Sequence, residues 1–193
     1  MAWRALLSAL VFGTTLLLPL AVGRPAAALD EVLILSRYRS YTGANMLPRG
    51  RGHPGVDFAE RPGAPVLAVA DGVVSHMIDS AVGCGHGVVI EHAAFARWSA
   101  YCHLQAVTVD VGQVVARGET IGEVGRTGST SEVPHVHLEL CTSPCESHGD
   151  GDFTGTEDPL AIAAGCYDAA QAYPNEQLVL TFPVRCLHWE RWR

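Results

Sequence analysis

Three short stretches hold the residues whose types and spacing can do chemistry. In His53-Pro54-Gly55-Val56-Asp57 an imidazole and a carboxylate stand four residues apart around a Pro-Gly pair. That pair forces a turn, so His53 and Asp57 can reach a common point while Val56 and Phe58 enter the core. His135-Val136-His137 lies inside the run Pro134 to Leu140. Side chains on a strand alternate with period two, so both imidazoles face one side while Val136 and Leu138 face the other. Tyr101-Cys102-His103-Leu104 ends a third run, which should form a hairpin with Gly87 to His92. Taken singly, each has an ordinary reading: a surface hydrogen-bonded pair, a solvent-facing pair on a half-exposed strand, a partly buried histidine. Taken together, they suit a metal. A catalytic zinc takes three protein ligands and keeps one position open for water, and His53, Asp57 and one histidine of the 135/137 pair form such a set. The cation brings the pKa of that water from about 15.7 towards 7. The two remaining histidines are then placed to orient and deprotonate it and to stabilise a tetrahedral oxyanion.

Such a constellation needs rigid elements beneath it, and the sequence between His53 and Leu140 supplies short β-branched runs punctuated by glycine. They are Val66 to Ala70, Gly72 to Ile78, Gly87 to His92, Trp98 to Leu104, Val107 to Val109, Glu119 to Val124 and Val136 to Leu140. Twenty glycines and eleven prolines fit many tight turns, and no long stretch carries a 3.6-residue period. The spacing predicts a mostly β, small antiparallel sheet or barrel. At 193 residues one domain is expected. The organisation reads as a leader at 1–28, a lead segment at 29–52, the core at 53–140, and a cysteine-bearing loop and C-terminal extension at 141–193 packed on the core. Within the extension Leu178 to Phe182 reads as a strand.

Composition removes several chemistries. All thirteen basic residues are arginine, so Schiff-base catalysis, a P-loop and a lysine-borne carrier function are impossible; the glycine-spaced stretch from Val111 to Gly122, which resembles lipoyl and biotinyl carriers, therefore has no acceptor. Arg4, the apolar run Ala5 to Leu20 and the small residues ending at Ala28 read as a secretory signal peptide, leaving no membrane span in the mature chain. Losing Arg4 and Arg24 with it takes the net charge from −7 to −9, which argues against a nucleic-acid partner. Six cysteines, at 84, 102, 141, 145, 166 and 186, in an exported chain imply an oxidising compartment, the periplasm or the exterior. Cys141 with Cys145, and Cys166 with Cys186, are suitable pairs; a zinc knuckle of Cys141, Cys145 and His148 is the rival arrangement.

The order His-x-x-x-Asp, Tyr-x-His-Leu, Pro-His-x-His followed by Leu-Glu-Leu resembles the M23, lysostaphin-like (LytM-domain) family of zinc metallopeptidases over residues 53 to 140. Pro65 to Val74, Gly87 to His92 and the glycine-spaced 112 to 128 stretch are similar to that family in sequence and order. The resemblance implies a duplicated hybrid β motif, Zn2+ held by His53, Asp57 and His137, catalytic histidines at His103 and His135, and a peptidoglycan peptide substrate cut by a monomer. Two rival functions remain: a non-catalytic LytM-type envelope protein that binds peptidoglycan or activates another hydrolase, and a zinc D,D-carboxypeptidase. The sequence departs from the family at Ala93 to Ser99, which lacks the usual glycine turn, and at the long loop 141–157. Occlusion of the metal by a separate upstream domain is not expected, although Asn45 of the lead segment could still reach inward. His92 is a candidate lining of the cleft; Glu139, on the same strand face as His135 and His137, reads as an exposed or salt-bridged glutamate, with a partner to the ligand histidines as the alternative; and Arg126 to Ser129 reads as a solvated turn or a loop over the substrate.

Overall fold

The computed structural model describes residues 32–145 and 153–186. The expected leader at 1–28, His148 and the terminus at 188–192 lie outside the described residues. Ten strands follow in chain order: β1 (Ile34–Ser36), β2 (Val56–Ala59), β3 (Pro65–Leu67), β4 (Gly72–Asp79), β5 (His86–His92), β6 (Arg97–Val107), β7 (Val114–Val115), β8 (Thr120–Val124), β9 (His135–Cys141) and β10 (Thr156–Glu157). Two 3-10 turns, Ala93–Phe95 and Pro159–Ile162, are the helical content among the described residues. The strands form one antiparallel sheet with the order β1-β2-β9-β6-β5-β4-β7, while β3 pairs with β8, β8 also with β6, and β10 with β9. The mostly β expectation holds.

β9 shows why the sheet can carry a polar cluster. Its seven residues are all buried, yet they alternate in chemistry: Val136, Leu138 and Leu140 enter the main core beside Phe58, Ile90 and Tyr101, whereas His135, His137 and Glu139 occupy the opposite face. Each fully buried apolar side chain contributes roughly 1.5–3 kcal/mol, so the core face provides the stability against which the polar face can be desolvated. The tail adds to this core through Leu180 and Val184.

β5 and β6 form the expected hairpin. Between them the left-handed conformation that a glycine would ordinarily take is adopted by Ala96, with φ of +48°, so the turn is made without the missing glycine. Two expected strands are absent. β6 already ends at Val107, and residues 108–110 run on as a loop. Over 178–182 the backbone divides its bonds between two sides: Leu180 and Phe182 donate to Ile162 and Gly165, but Thr181 donates to Val69, leaving a single parallel bridge from Leu180 to Ala163. The cysteines pair as 84–102, 141–145 and 166–186. The zinc knuckle is thereby excluded, because neither Cys141 nor Cys145 retains a thiolate to donate.

His92 does not open on the reactive cluster; it is buried in a polar chain. Its Nδ1 donates to Asp71 O (2.8 Å) and its Nε2 meets Ser99 Oγ (2.9 Å), which meets Tyr101 Oη (3.1 Å), itself the acceptor for Val69 N–H (2.9 Å). Burial holds His92 below the ordinary imidazole value, the bond to Asp71 O opposing this. Below about pH 6.5 the unfolded chain therefore takes up a proton that the folded one refuses, and stability falls with pH. Urea unfolding at pH 7 and pH 5 is expected to show a steeper acid loss in the wild type than in His92→Gln, by up to about 1.4 kcal/mol per pH unit; equal slopes would contradict this role.

Candidate metal and catalytic site

β9 lies between β2 and β6, and the ladder registers set the cluster: Asp57 pairs with His137, and Cys102 with His137 from the other side. His53 precedes β2 by a bend, as expected for Pro54-Gly55. Gly55 is needed there, since a Cβ would collide with the Leu138 carbonyl and the His137 ring. His53, Asp57 and His137 come together with one donor atom each. His53 Nε2 lies 2.8 Å from His137 Nδ1 and 3.0 Å from Asp57 Oδ1, and His137 Nδ1 lies 2.9 Å from that same oxygen. The ring of His103 is centred 4.7 Å from that of His135 and 5.9 Å from that of His137. His135 Nε2 stands 3.5 Å from Asp57 Oδ1. All five residues are buried.

Tautomers follow from the outer partners. Ser36 Oγ commits its hydrogen to Thr42 O (2.6 Å), so His53 Nδ1, facing that oxygen at 3.1 Å and Arg37 O at 3.2 Å, must carry a hydrogen and leave Nε2 bare. His137 Nε2 faces Glu139 Oε1 at 2.9 Å, which places its hydrogen there and leaves Nδ1 bare. Neutral tautomers thus bring three lone pairs, from His53 Nε2, Asp57 Oδ1 and His137 Nδ1, to within 3.0 Å of one another with no hydrogen between them. Such a buried cluster of acceptors is repulsive unless a cation joins it.

The donor set and spacing fit a divalent metal. Bonds of about 2.0–2.2 Å give tetrahedral edges of about 3.3–3.6 Å, a few tenths of an ångström wider than this triangle. Without a metal, a proton fills the role: burial pulls His137 down, but its bonds to Asp57 and Glu139 prevail and lift it to about 9. Burial would raise the Asp57 carboxyl, yet the imidazoles of His135, His137 and His53 gathered around it favour its charged form and hold it well below the usual carboxylate range. His53 is lowered by burial, the Asp57 bond opposing. Arg49 Nη2 takes the other carboxylate oxygen, Oδ2, at 3.2 Å, leaving Oδ1 for the cation.

The two histidines outside the triangle are each tied by Nδ1 to a backbone carbonyl, His103 to Thr127 O (2.9 Å) and His135 to Val133 O (2.7 Å). Their Nε2 atoms are therefore the basic ones, and that of His135 has no hydrogen-bond partner among the described residues. Burial, reinforced by His137 and His135, lowers His103 to about 3, so it is neutral.

Some assignments needed the structure. Glu139 is not exposed: it is buried, and it is paired with His137, whose ring it orients. Its period-two spacing from His135 and His137 was the available signal. Asn45 does not reach inward, its Oδ1 accepting Leu47 N–H instead; Arg49 of the same loop does, with no sequence signal to announce it. Thr127 anchors His103 from a stretch that reads as an ordinary turn.

The family model for peptidase family M23 matches residues 51–148. The chain is 42% identical over 88 residues to the peptidoglycan DD-endopeptidase ShyA of Vibrio cholerae, covering 46% of this chain and 20% of that protein. It is 39% identical over 112 residues to the DD-carboxypeptidase/endopeptidase Mpg of Neisseria meningitidis, covering 56% and 25%. The chain thus spans a quarter or less of the length of these curated relatives. Among solved structures, the catalytic domain of the prophage-encoded M23 protein EnpA from Enterococcus faecalis superposes with a TM-score of 0.54 at 29% identity, over 66% of this chain and 88% of that one.

Glu139 supports the cationic form of His137, so Glu139→Gln is expected to make His137 titrate about one pH unit or more lower in metal-free protein. Histidine Cε1–H NMR against pH measures it; an unmoved His137 would remove Glu139 from the site.

Proposed function

The chain belongs to peptidase family M23, and from that premise we propose that it is a zinc-dependent metalloendopeptidase hydrolysing peptide bonds in the cross-links of bacterial peptidoglycan. The observation that carries the reading is the meeting of three lone pairs, on His53, Asp57 and His137, beside two further buried imidazoles. Relatives named as peptidoglycan DD-endopeptidase and DD-carboxypeptidase/endopeptidase supply the substrate class. Three disulfides support an exported, periplasmic or secreted protein. Among the described residues no helix is long and apolar enough to cross a membrane.

Zinc held by His53, Asp57 and His137 supplies an activated water and a Lewis acid for the scissile carbonyl. The chain's own groups do the rest. His135, its Nδ1–H committed to Val133 O, takes up at Nε2 the proton of the attacking water. As the tetrahedral intermediate collapses and the C–N bond breaks, that proton passes to the departing amine nitrogen. His103, neutral and anchored on Thr127 O, hydrogen-bonds the reacting oxygens and shares the proton. Glu139 fixes the tautomer of His137, and Arg49 keeps Asp57 to one oxygen.

The name of the Neisseria relative favours one alternative specificity, release of a terminal D-alanine; muropeptide mass spectrometry separates the two by product. The non-catalytic reading is disfavoured because none of the five site positions has lost its functional side chain.

Purified protein is expected to bind one zinc and solubilise isolated cell walls, to lose that activity on chelation, and to regain it with zinc. His103→Ala should keep the zinc and lose about 10²–10⁴-fold in kcat. Turnover that survives chelation would reject the mechanism, and zinc binding without turnover would favour the non-catalytic rival.

A further inference from the structure

His103 faces the site only because β6 is irregular. Strict alternation from Tyr101, whose side chain is in the core, would send His103 to the core as well. Between the pairs Val88–Tyr101 and His86–Leu104, however, β6 takes three steps where β5 takes two. This bulge puts Tyr101 and Leu104 both in the core and leaves Cys102, opposite His137, and His103 together on the other face. The irregularity is made at His103 itself, whose φ is +68°. A non-glycine residue keeps such a conformation only where its surroundings impose it.

The surroundings that impose it come from the loop between β4 and β5. Cys84 O accepts the His103 N–H at 2.8 Å, and Cys84 is joined to Cys102, the residue immediately before His103. That loop is in turn laced to the segment that anchors the His103 ring. Gly83 N–H donates to Ser129 Oγ (3.1 Å), Thr130 Oγ1 to Gly83 O (3.0 Å) and His86 N–H to Thr127 Oγ1 (2.9 Å). The backbones meet so closely at Gly85 and Gly128 that a Cβ on either would overlap the other. The three ligand residues have further supports outside this lacing: the β2–β9 ladder holds Asp57 against His137, and His53 is tied to Ser36, Arg37 and Ser40.

We propose that the Cys84–Cys102 cystine is the positioning element of His103: it holds the 80–85 loop against the β6 bulge and so keeps the His103 ring on the reactive face. Opening the link releases the bulge towards regular alternation, which moves His103 away while the cation ligands stay. This inference rests on the peptidase reading above, and His103 acts on substrate while the cystine acts only through it.

The test compares wild type, the Cys84→Ala/Cys102→Ala double variant and a Cys166→Ala/Cys186→Ala control, each loaded with zinc. On a soluble cross-linked muropeptide, the 84/102 variant should show kcat lowered about tenfold or more, with KM and zinc affinity within about threefold of wild type, and the control should match wild type. Imidazole ¹H–¹⁵N spectra provide a readout independent of turnover: the His103 Nδ1–H signal, protected by Thr127 O, should disappear in the 84/102 variant alone. Should that variant fail to fold, graded dithiothreitol on the wild type with alkylation mapping replaces it, and kcat should follow the opened fraction of Cys84–Cys102, not that of Cys166–Cys186. Unchanged kcat and an unchanged His103 signal, or zinc affinity falling in step with kcat, would overturn the proposal. A wild type that binds zinc but cleaves nothing would overturn the peptidase reading instead, and the His103 signal would still decide the positioning role.

Discussion

Three acceptor atoms aimed at one point inside a protein, with no hydrogen between them while both imidazoles are neutral, form the constraint on which the rest of this structure depends. His53 Nε2, Asp57 Oδ1 and His137 Nδ1 approach within 3.0 Å, and each is bare because its outer atoms are already engaged: His53 by Arg37 O, His137 by Glu139, Asp57 Oδ2 by Arg49. An arrangement of this kind is costly in a low-dielectric interior unless positive charge completes it. The outer partners therefore do more than pack. They choose the tautomers, and the tautomers create the demand for a cation.

The sheet meets this cost by keeping its two faces chemically separate. The even positions of β9 and the residues around Phe58 and Ile90 bury apolar surface, and the odd positions of β9 hold the reactive groups. Both faces are largely buried, so the same strand that supplies the core also desolvates the site. Desolvation explains why His53 and His103 are held neutral while His137, placed between two carboxylates, is driven the other way. Of the triad proposed to hold the metal, Asp57 and His137 come from the β2–β9 ladder and His53 from the bend before β2, whereas His103 comes from a bulge on β6 with a separate set of supports. In the proposed mechanism, metal binding and proton handling thus rest largely on different pieces of the fold.

Much of this was legible in the residues. The period-two placing of His135 and His137, the turn forced by Pro54-Gly55 and the hairpin from Gly87 to Leu104 are local statements, and the structure contains each of them. Glu139 is legible by the same periodicity as facing His137, but residue type alone favours an exposed or salt-bridged glutamate over a buried partner, because a glutamate is rarely buried unless paired; its pairing with His137 decides between these readings. Strands expected at 107–109 and 178–182 failed because β-rich composition reports a residue's fit to a pleated surface, not whether a neighbouring strand is present to bond it. At 178–182 the backbone bonds are divided between Val69 and the 162–165 segment, which no local pattern records.

The sequence by itself determined the chemistry available: histidines and one aspartate at metal-ligand spacing, no lysine for any rival covalent mechanism, and strands on which alternate residues share a face. Tertiary structure alone decided which groups meet. Arg49 reaches Asp57 across a loop, Thr127 holds His103 from a distant turn, and a single extra residue in β6 turns His103 from the core to the site. The physical reason is that residue type and periodicity are properties of neighbours along the chain. Ladder register, bulges and the acceptors that fix a tautomer are set by partners dozens of residues away.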